Sequence, residues 1–269
     1  MVEIDKKIGF IGCGNMAGAM IGGLLKSGLV KCEDIIASAS SVKTLENVKK
    51  LFDIKVVKDN GSVVNSCDII FLAVKPNIYE AVIREIKDYN LENKIFISIA
   101  AGKTLDFLEK GLGKDAKVLR TMPNTPALAG EGITAICPNR NIDIEELELL
   151  KQLIGTFGSV EVIDEKLFDA VVAVSGSSPA YVFMFIEAMA DSAVLQGMPR
   201  QQAYKFAAQA VLGSAKMVLE TGQHPGELKD MVCSPGGTTI EAVAMLEERG
   251  FRSAVIEAMR VCGEKSKNM

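Results

Sequence analysis

Turns rich in glycine and hydroxyl side chains carry most of the candidate chemistry in this chain of 269 residues. Gly12-Cys13-Gly14-Asn15-Met16-Ala17 has the G-x-G-x-x-A spacing, set between an apolar run and a helical one. Gly12 permits a tight turn and Gly14 lets the backbone approach a pyrophosphate. Ala17 stands where a third glycine is usual and is small enough for the helix to pack on the strand. The helix N-terminus behind the turn offers unpaired N–H groups and a positive dipole end, so Gly12, Gly14, Asn15, Met16 and Ala17 are assigned to cofactor binding. An ordinary glycine turn would contain the same residues. What favours the ligand reading is position, after the first strand of an alternating chain.

The type of dinucleotide follows from the second strand. A site for NAD usually places Asp or Glu about 20 residues beyond the glycines, on the ribose hydroxyls. Here the strand ends Ala37-Ser38-Ala39-Ser40-Ser41, with Lys43 beyond and no acid. Hydroxyls, N–H groups and a lysine suit a 2′-phosphate, so NADPH is expected, with NADH as the alternative. The competing reading is that Ser40 or Ser41 merely caps the next helix. Three further runs end strands where a ligand crevice is expected. In Ala73-Val74-Lys75-Pro76, Lys75 is either a cofactor contact or a solvated loop lysine. Ser98-Ile99-Ala100-Ala101-Gly102 leaves room for a nicotinamide, and Asn124 and Thr125 in Arg120–Pro126 offer hydrogen bonds, unless both runs are plain turns.

Two segments of the second half address the reacting group. Hydride transfer to a carbonyl needs a proton donor, usually His or Lys. Between Lys166 and Arg200 there is no Lys, Arg or His, and Val174-Ser175-Gly176-Ser177-Ser178-Pro179-Ala180-Tyr181 offers only hydroxyls. That is awkward for a carbonyl and natural for an imine, which enters protonated and then needs only hydride. Tyr181 or an ordered water is the alternative donor. In Ser234-Pro235-Gly236-Gly237-Thr238-Thr239-Ile240-Glu241, N–H groups and hydroxyls converge at a helix start, as a cradle for a small carboxylate would require. A capping box of Thr238 with Glu241 fits the same spacing, and the two readings are compatible.

These turns need elements to hold them. Short apolar runs at Ile8–Ile11, Ile35–Ser38, Ile69–Val74, Ile95–Ile99, Val118–Met122, Ile133–Cys137 and Val160–Ile163 alternate with helical stretches. The helices are expected at Met16–Ser27, Val42–Phe52, Ile78–Tyr89, Leu105–Leu112 and Ile144–Phe157. Near-continuous apolar strands with helices between them predict an α/β doubly wound sheet. Past residue 164 the strands stop. Ser178-Pro179 reads as a capping hydroxyl and first-turn proline opening a helix to Gln196, apolar nearly all round and therefore expected to be deeply buried. Further helices are expected over Gln201–Thr221, Thr239–Glu248 and Arg252–Lys265, so an all-α half follows the sheet.

Composition narrows the function classes. A net charge of −4 without a Lys/Arg cluster argues against nucleic acid. Met1–Lys7 shows no secretory pattern, and Ala180–Leu195 carries Glu187 and Asp191 and falls short of a membrane span, so a soluble, cytoplasmic chain is expected. Six cysteines without a C-x-x-C pair read as reduced thiols, and the single histidine, His224, reads as a helix-boundary or surface residue. No metal is expected.

The run Gly9–Met16 resembles the start of pyrroline-5-carboxylate reductases. So do Ala73–Pro76, Met122–Pro126, Ser175–Tyr181, Gly213–Lys216 and Lys229–Thr239, in order along nearly the whole chain. The resemblance implies an N-terminal Rossmann domain over 1–163 and a helical dimerisation and substrate domain over 164–269. It implies a homodimer of interlocking helices, with rings of dimers in some members, and an active site between one subunit's glycine loop and its partner's helical domain. Thr239 looks like the residue that bonds the substrate near its ring nitrogen, and Gly237 and Thr238 like N–H donors to its carboxylate. Ser177 is assigned with Thr239 to catalysis, and Ser178 to substrate binding. Asn60, Ala73, Val74, Lys75 and Ala101 match cofactor positions, and Ser38, Ser40 and Ser41 match the phosphate turn. Met231 stands where some relatives carry Asn. The implied activity is reduction of 1-pyrroline-5-carboxylate to L-proline with NAD(P)H, the last step of proline synthesis. A hydroxy-acid dehydrogenase lacks its basic donor here, and a cofactor sensor would not need the carboxylate cradle.

Overall fold

The structure is a computed structural model and describes residues 4–268. Its first part alternates β1 (Ile8–Ile11), α1 (Asn15–Ser27), β2 (Ile35–Ser38), α2 (Val42–Phe52), β3 (Lys55–Val57), α3 (Asn60–Ser66) and β4 (Ile69–Leu72). It continues with α4 (Tyr79–Ile86), β5 (Ile95–Ser98), α5 (Leu105–Leu112), β6 (Lys117–Met122), β7 (Gly132–Pro138), α6 (Ile144–Ile154) and β8 (Gly158–Val162). Every residue of β1, β2, β4 and β5 is buried, because helices cover both faces of the sheet. The strand order is β3-β2-β1-β4-β5-β6-β7-β8. All neighbours are parallel except β6 and β7, which the turn from Pro123 to Glu131 joins in antiparallel register.

The chain crosses from β3 over to β4, so order reverses beside β1 and a crevice opens at the C-terminal ends of β1 and β4. Below it, Phe10 and Phe71 are register partners with rings stacked 4.6 Å apart. Two apolar clusters flank the sheet, one under α1 and α6, the other under α3, α4 and α5. Two elements were not read from the sequence. β3 has only three residues, and α3 is built from small and polar ones that show no helical stripe.

Beyond the sheet come α7 (Phe168–Val171), a π-helical turn over Val172–Gly176, α8 (Ser178–Leu195), α9 (Arg200–Thr221), α10 (Pro225–Val232), α11 (Thr238–Glu248) and α12 (Phe251–Lys267). α7 and α10 were not read from the sequence either, and the N-cap of α10 is His224, whose Nδ1 accepts from Gly226 N at 3.0 Å. The chain separates into two compact units, residues up to Gly176 with those from Cys262 onward, and Ser177–Val261. This boundary lies later than the 163/164 division, for a physical reason. Arg120 of β6 pairs with Glu165 at 2.8 Å and lies 4.2 Å from the Phe168 ring centroid, while Ser266 Oγ donates to Asp169 at 2.7 Å.

α8 departs from expectation. Within this chain only Ala190 of that helix is buried, whereas Phe183 and Met184 are 60% and 69% exposed. A helix that is apolar all round needs cover on every side, and here α9 supplies it on one, through Ala190, Ala203 and Ala207. Taken with the helical turns before it, Glu165–Leu195 is long and apolar enough, by length and composition alone, to cross a membrane. Ala180–Leu195 read by itself did not reach that length.

Candidate active site

The glycine turn is built as its spacing predicts. Gly12 sits at φ +95°, and a Cβ there would meet Ala73 O at 2.7 Å. Its N–H donates to Ser38 O at 2.9 Å, and Ala73 N donates to Ile11 O at 2.8 Å, so the ends of β1, β2 and β4 are tied together. Gly14 is the N-cap of α1, and a Cβ on it would meet nothing within 4 Å, leaving the approach to its backbone open. Ala17 is buried against the sheet, Met16 packs partly on the core, and Asn15 is exposed in the first turn.

A cleft of about 600 Å³ opens at this edge. Gly12, Cys13, Gly14, Ser40, Ser41, Asn60, Ala73, Val74 and Lys75 line it, joined by Thr44, Ile78, Val82 and Glu85. Eight residues assigned to the cofactor therefore share one cavity: Gly12, Gly14, Ser40, Ser41, Asn60, Ala73, Val74 and Lys75. Asn15, Met16, Ala17, Ser38 and Ala101 are not in its lining. Ala101 follows β5, on the same edge of the sheet. Ser38 is a correction, because it is fully buried and its hydroxyl donates to Asn60 Oδ1 at 2.7 Å. A direct phosphate contact from that side chain is replaced by support of Asn60. Ser41 caps α2 with a long bond, 3.5 Å from Thr44 N, and lines the cleft as well.

Several electrostatic features follow from burial. The Cys13 thiol at the glycine turn is pushed up to about 12 by desolvation, so it remains protonated at neutral pH. Burial likewise raises Tyr79 to about 12. Its hydroxyl donates to Leu72 O and accepts from Ser98 Oγ at 3.2 Å, which locks the ends of β4 and β5 together under the cleft. Asn124 is engaged within the chain at both ends of its amide. Its Oδ1 accepts from Ile133 N at 2.9 Å and its Nδ2 donates to Ser175 O at 3.1 Å, which makes it a structural tie. Sequence reasoning missed Glu85, whose partner Asn60 lies 25 residues away. The signal was present in the stripe Ile78, Val82, Glu85, at helical spacing on the face turned to the cleft.

The remaining assigned residues belong to the second compact unit. Gly237, and not Thr238, is the N-cap of α11, so the expected capping box is absent and both threonines lie inside the first turn. Gly237 N donates to Ser234 O at 3.0 Å. Its role is steric, because a Cβ there would fall 2.4 Å from Ser234 Oγ. Thr238 N and Thr239 N are left without intrahelical acceptors, as first-turn N–H groups are. α8 begins with Ser178 and Pro179 inside the helix. Ser177 is its N-cap, and no capping bond from that side chain forms where Ser178 was expected to cap. Among the described residues no group of three or more His, Cys, Asp or Glu could hold a metal ion.

A mostly parallel sheet with a glycine turn at its switch point, a non-acidic β2 end and a helical second half define a nicotinamide-dependent oxidoreductase. Residues 165–269 match the family model for pyrroline-5-carboxylate reductase dimerisation, and residues 7–102 match that for NADP oxidoreductase, coenzyme F420-dependent. The pyrroline-5-carboxylate reductase of Escherichia coli K12 is 56% identical over 99% of both chains, and that of Methanosarcina acetivorans 44% over 98% of both. The crystal structure of the Plasmodium falciparum enzyme with NADP bound aligns with a TM-score of 0.90 at 34% identity, covering 99% of this chain and 98% of that one. The chain belongs to the pyrroline-5-carboxylate reductase family.

Proposed function

We infer that this chain reduces 1-pyrroline-5-carboxylate to L-proline by hydride transfer from NADPH, the final step of proline biosynthesis. The observation that carries the cofactor assignment is the cleft, where the glycine turn faces a β2 end with hydroxyls and no carboxylate of its own. The open approach at Gly14 fits a pyrophosphate, and Ser40, Ser41 and Thr44 fit a 2′-phosphate. The bound reduced nicotinamide supplies the hydride. The chain's own residues bind and orient. Lys75, at the mouth of the cleft, adds positive charge toward the phosphates.

For the substrate we assign Thr238 N and Thr239 N, at the positive end of α11, to the carboxylate. The Thr239 hydroxyl holds the ring near its nitrogen, and Ser177 and Ser178 bound the same pocket. No protein acid is required, because the iminium arrives protonated and hydride addition to its carbon leaves the amine of proline. Catalysis is then mainly placement of two reactants. The bare apolar sides of α8 support a homodimer in which a second copy covers them, and larger rings would be built from such dimers. We read the apolarity of Glu165–Leu195 as that interface rather than as a membrane span, and place the protein in the cytoplasm. On this reading 164–269 is the dimerisation and substrate domain.

The test is NADPH consumption by purified protein with pyrroline-5-carboxylate, beside NADH and a panel of 2-keto acids. Turnover confined to the imino acid supports the assignment. Turnover on a keto acid instead would mean that a proton donor exists and the iminium reading is wrong.

A further inference from the structure

Behind the cleft lies a chain of three side chains that neither the glycine turn nor the substrate reading uses. Ser38, the last residue of β2, donates its hydroxyl to Asn60 Oδ1 at 2.7 Å. Asn60 Nδ2 donates to Glu85 Oε2 at 2.7 Å, and Asn60 N lies 3.4 Å from Glu85 Oε1. An amide flanked by a hydroxyl donor on one side and a carboxylate on the other has one orientation that satisfies both, with oxygen toward Ser38 and nitrogen toward Glu85. The nitrogen then keeps a second hydrogen, and Asn60 lines the cleft. Its place beside the end of β2 is where the ribose next to the adenine lies in folds of this type.

We propose that Ser38 and Glu85 are positioning residues for cofactor selectivity, fixing the Asn60 carboxamide as a hydrogen-bond donor to the 2′-phosphate of NADPH. The proposal rests on the NADPH assignment. Free to flip, the amide would present its oxygen to the phosphate half the time, and an acceptor facing a phosphate repels it. Glu85 takes up the N–H that would otherwise compete for solvent. Glu85 is exposed, so the high dielectric of water weakens its repulsion of a phosphate, and the service proposed for it is directional. Ser38 is buried, and its hydroxyl bonds Asn60 Oδ1 at 2.7 Å and lies 3.4 Å from Phe10 O, so its influence on the phosphate passes through Asn60.

The experiment is a double-mutant cycle read as KM for NADPH and for NADH with the imino acid saturating. Glu85→Ala should raise the NADPH KM by up to about twofold, the loss expected of an amide turned the wrong way half the time, while kcat and the NADH KM stay near wild type. Ser38→Ala should move the same ratio in the same direction. In an Asn60→Ala background, Glu85→Ala should change nothing further. Equal losses for both cofactors, a Glu85→Ala effect that persists without Asn60, or an unchanged ratio would each overturn the proposal. Because Glu85 is exposed, its variant folds, and the Ser38 variant gives an independent second reading. A wild-type protein indifferent to the 2′-phosphate would instead sink the NADPH assignment beneath it.

Discussion

At the scale of residues, the two turns make separable demands. Gly14→Val puts a side chain into open space in the cleft, so the protein should stay folded with at most the small Tm loss of a poorer N-cap, while NADPH affinity falls by more than about tenfold, as calorimetric titration would show. Gly12→Ala differs, because its Cβ would strike Ala73 O and its φ is positive, so stability should fall with binding. Thr239→Val should lower kcat/KM for the imino acid about tenfold to a hundredfold, one hydrogen bond to a charged group, with the NADPH dissociation constant unchanged. Unchanged turnover would show that Thr239 does not hold the substrate. The raised Cys13 pKa of about 12, against an ordinary 9.0, fixes the sign of a pH prediction. At pH 8 its thiolate is about one part in ten thousand, so peptide mapping after iodoacetamide should find Cys13 unmodified in the folded protein. The glycine turn could be read from sequence because each residue there has one job. Ser38 and Gly237 could not, because which partner a hydroxyl or an N–H chooses depends on neighbours that only folding supplies.

Elements tell a similar story with different causes. Strands buried on both faces announce themselves as unbroken apolar runs, and β1, β2, β4 and β5 fall where those runs do. β3 and α3 escape because a short edge strand and a small-residue helix have no periodic signal. Tyr79 shows how an element's end is held. Tyr79→Phe removes the bond to Leu72 O and should cost about 1–3 kcal/mol in denaturant unfolding, since a buried carbonyl loses its partner. α8 was read as deeply buried, and its own chain covers only part of it. A sequence reports that a helix is apolar all round, not which molecule covers it, and the cover is absent from its own chain. Phe183→Glu should therefore leave the fold intact and shift sedimentation toward the monomer, because an interface would have to bury an unpaired charge. A variant with wild-type sedimentation would show that this side of α8 faces solvent.

For the whole molecule, the division of labour we propose is a sheet that holds the reductant and helices that hold the acceptor and a second copy of the chain. The absence of Lys, Arg and His from residues 167–199 was visible in the sequence and fits an imine better than a carbonyl substrate. The catalytic claim is tested most directly by incubating the purified protein with NADPH and pyrroline-5-carboxylate and following the product by NMR. L-proline should form in step with NADPH consumed, one for one. NADPH consumption without proline, or no consumption while a keto acid is reduced, would contradict the account.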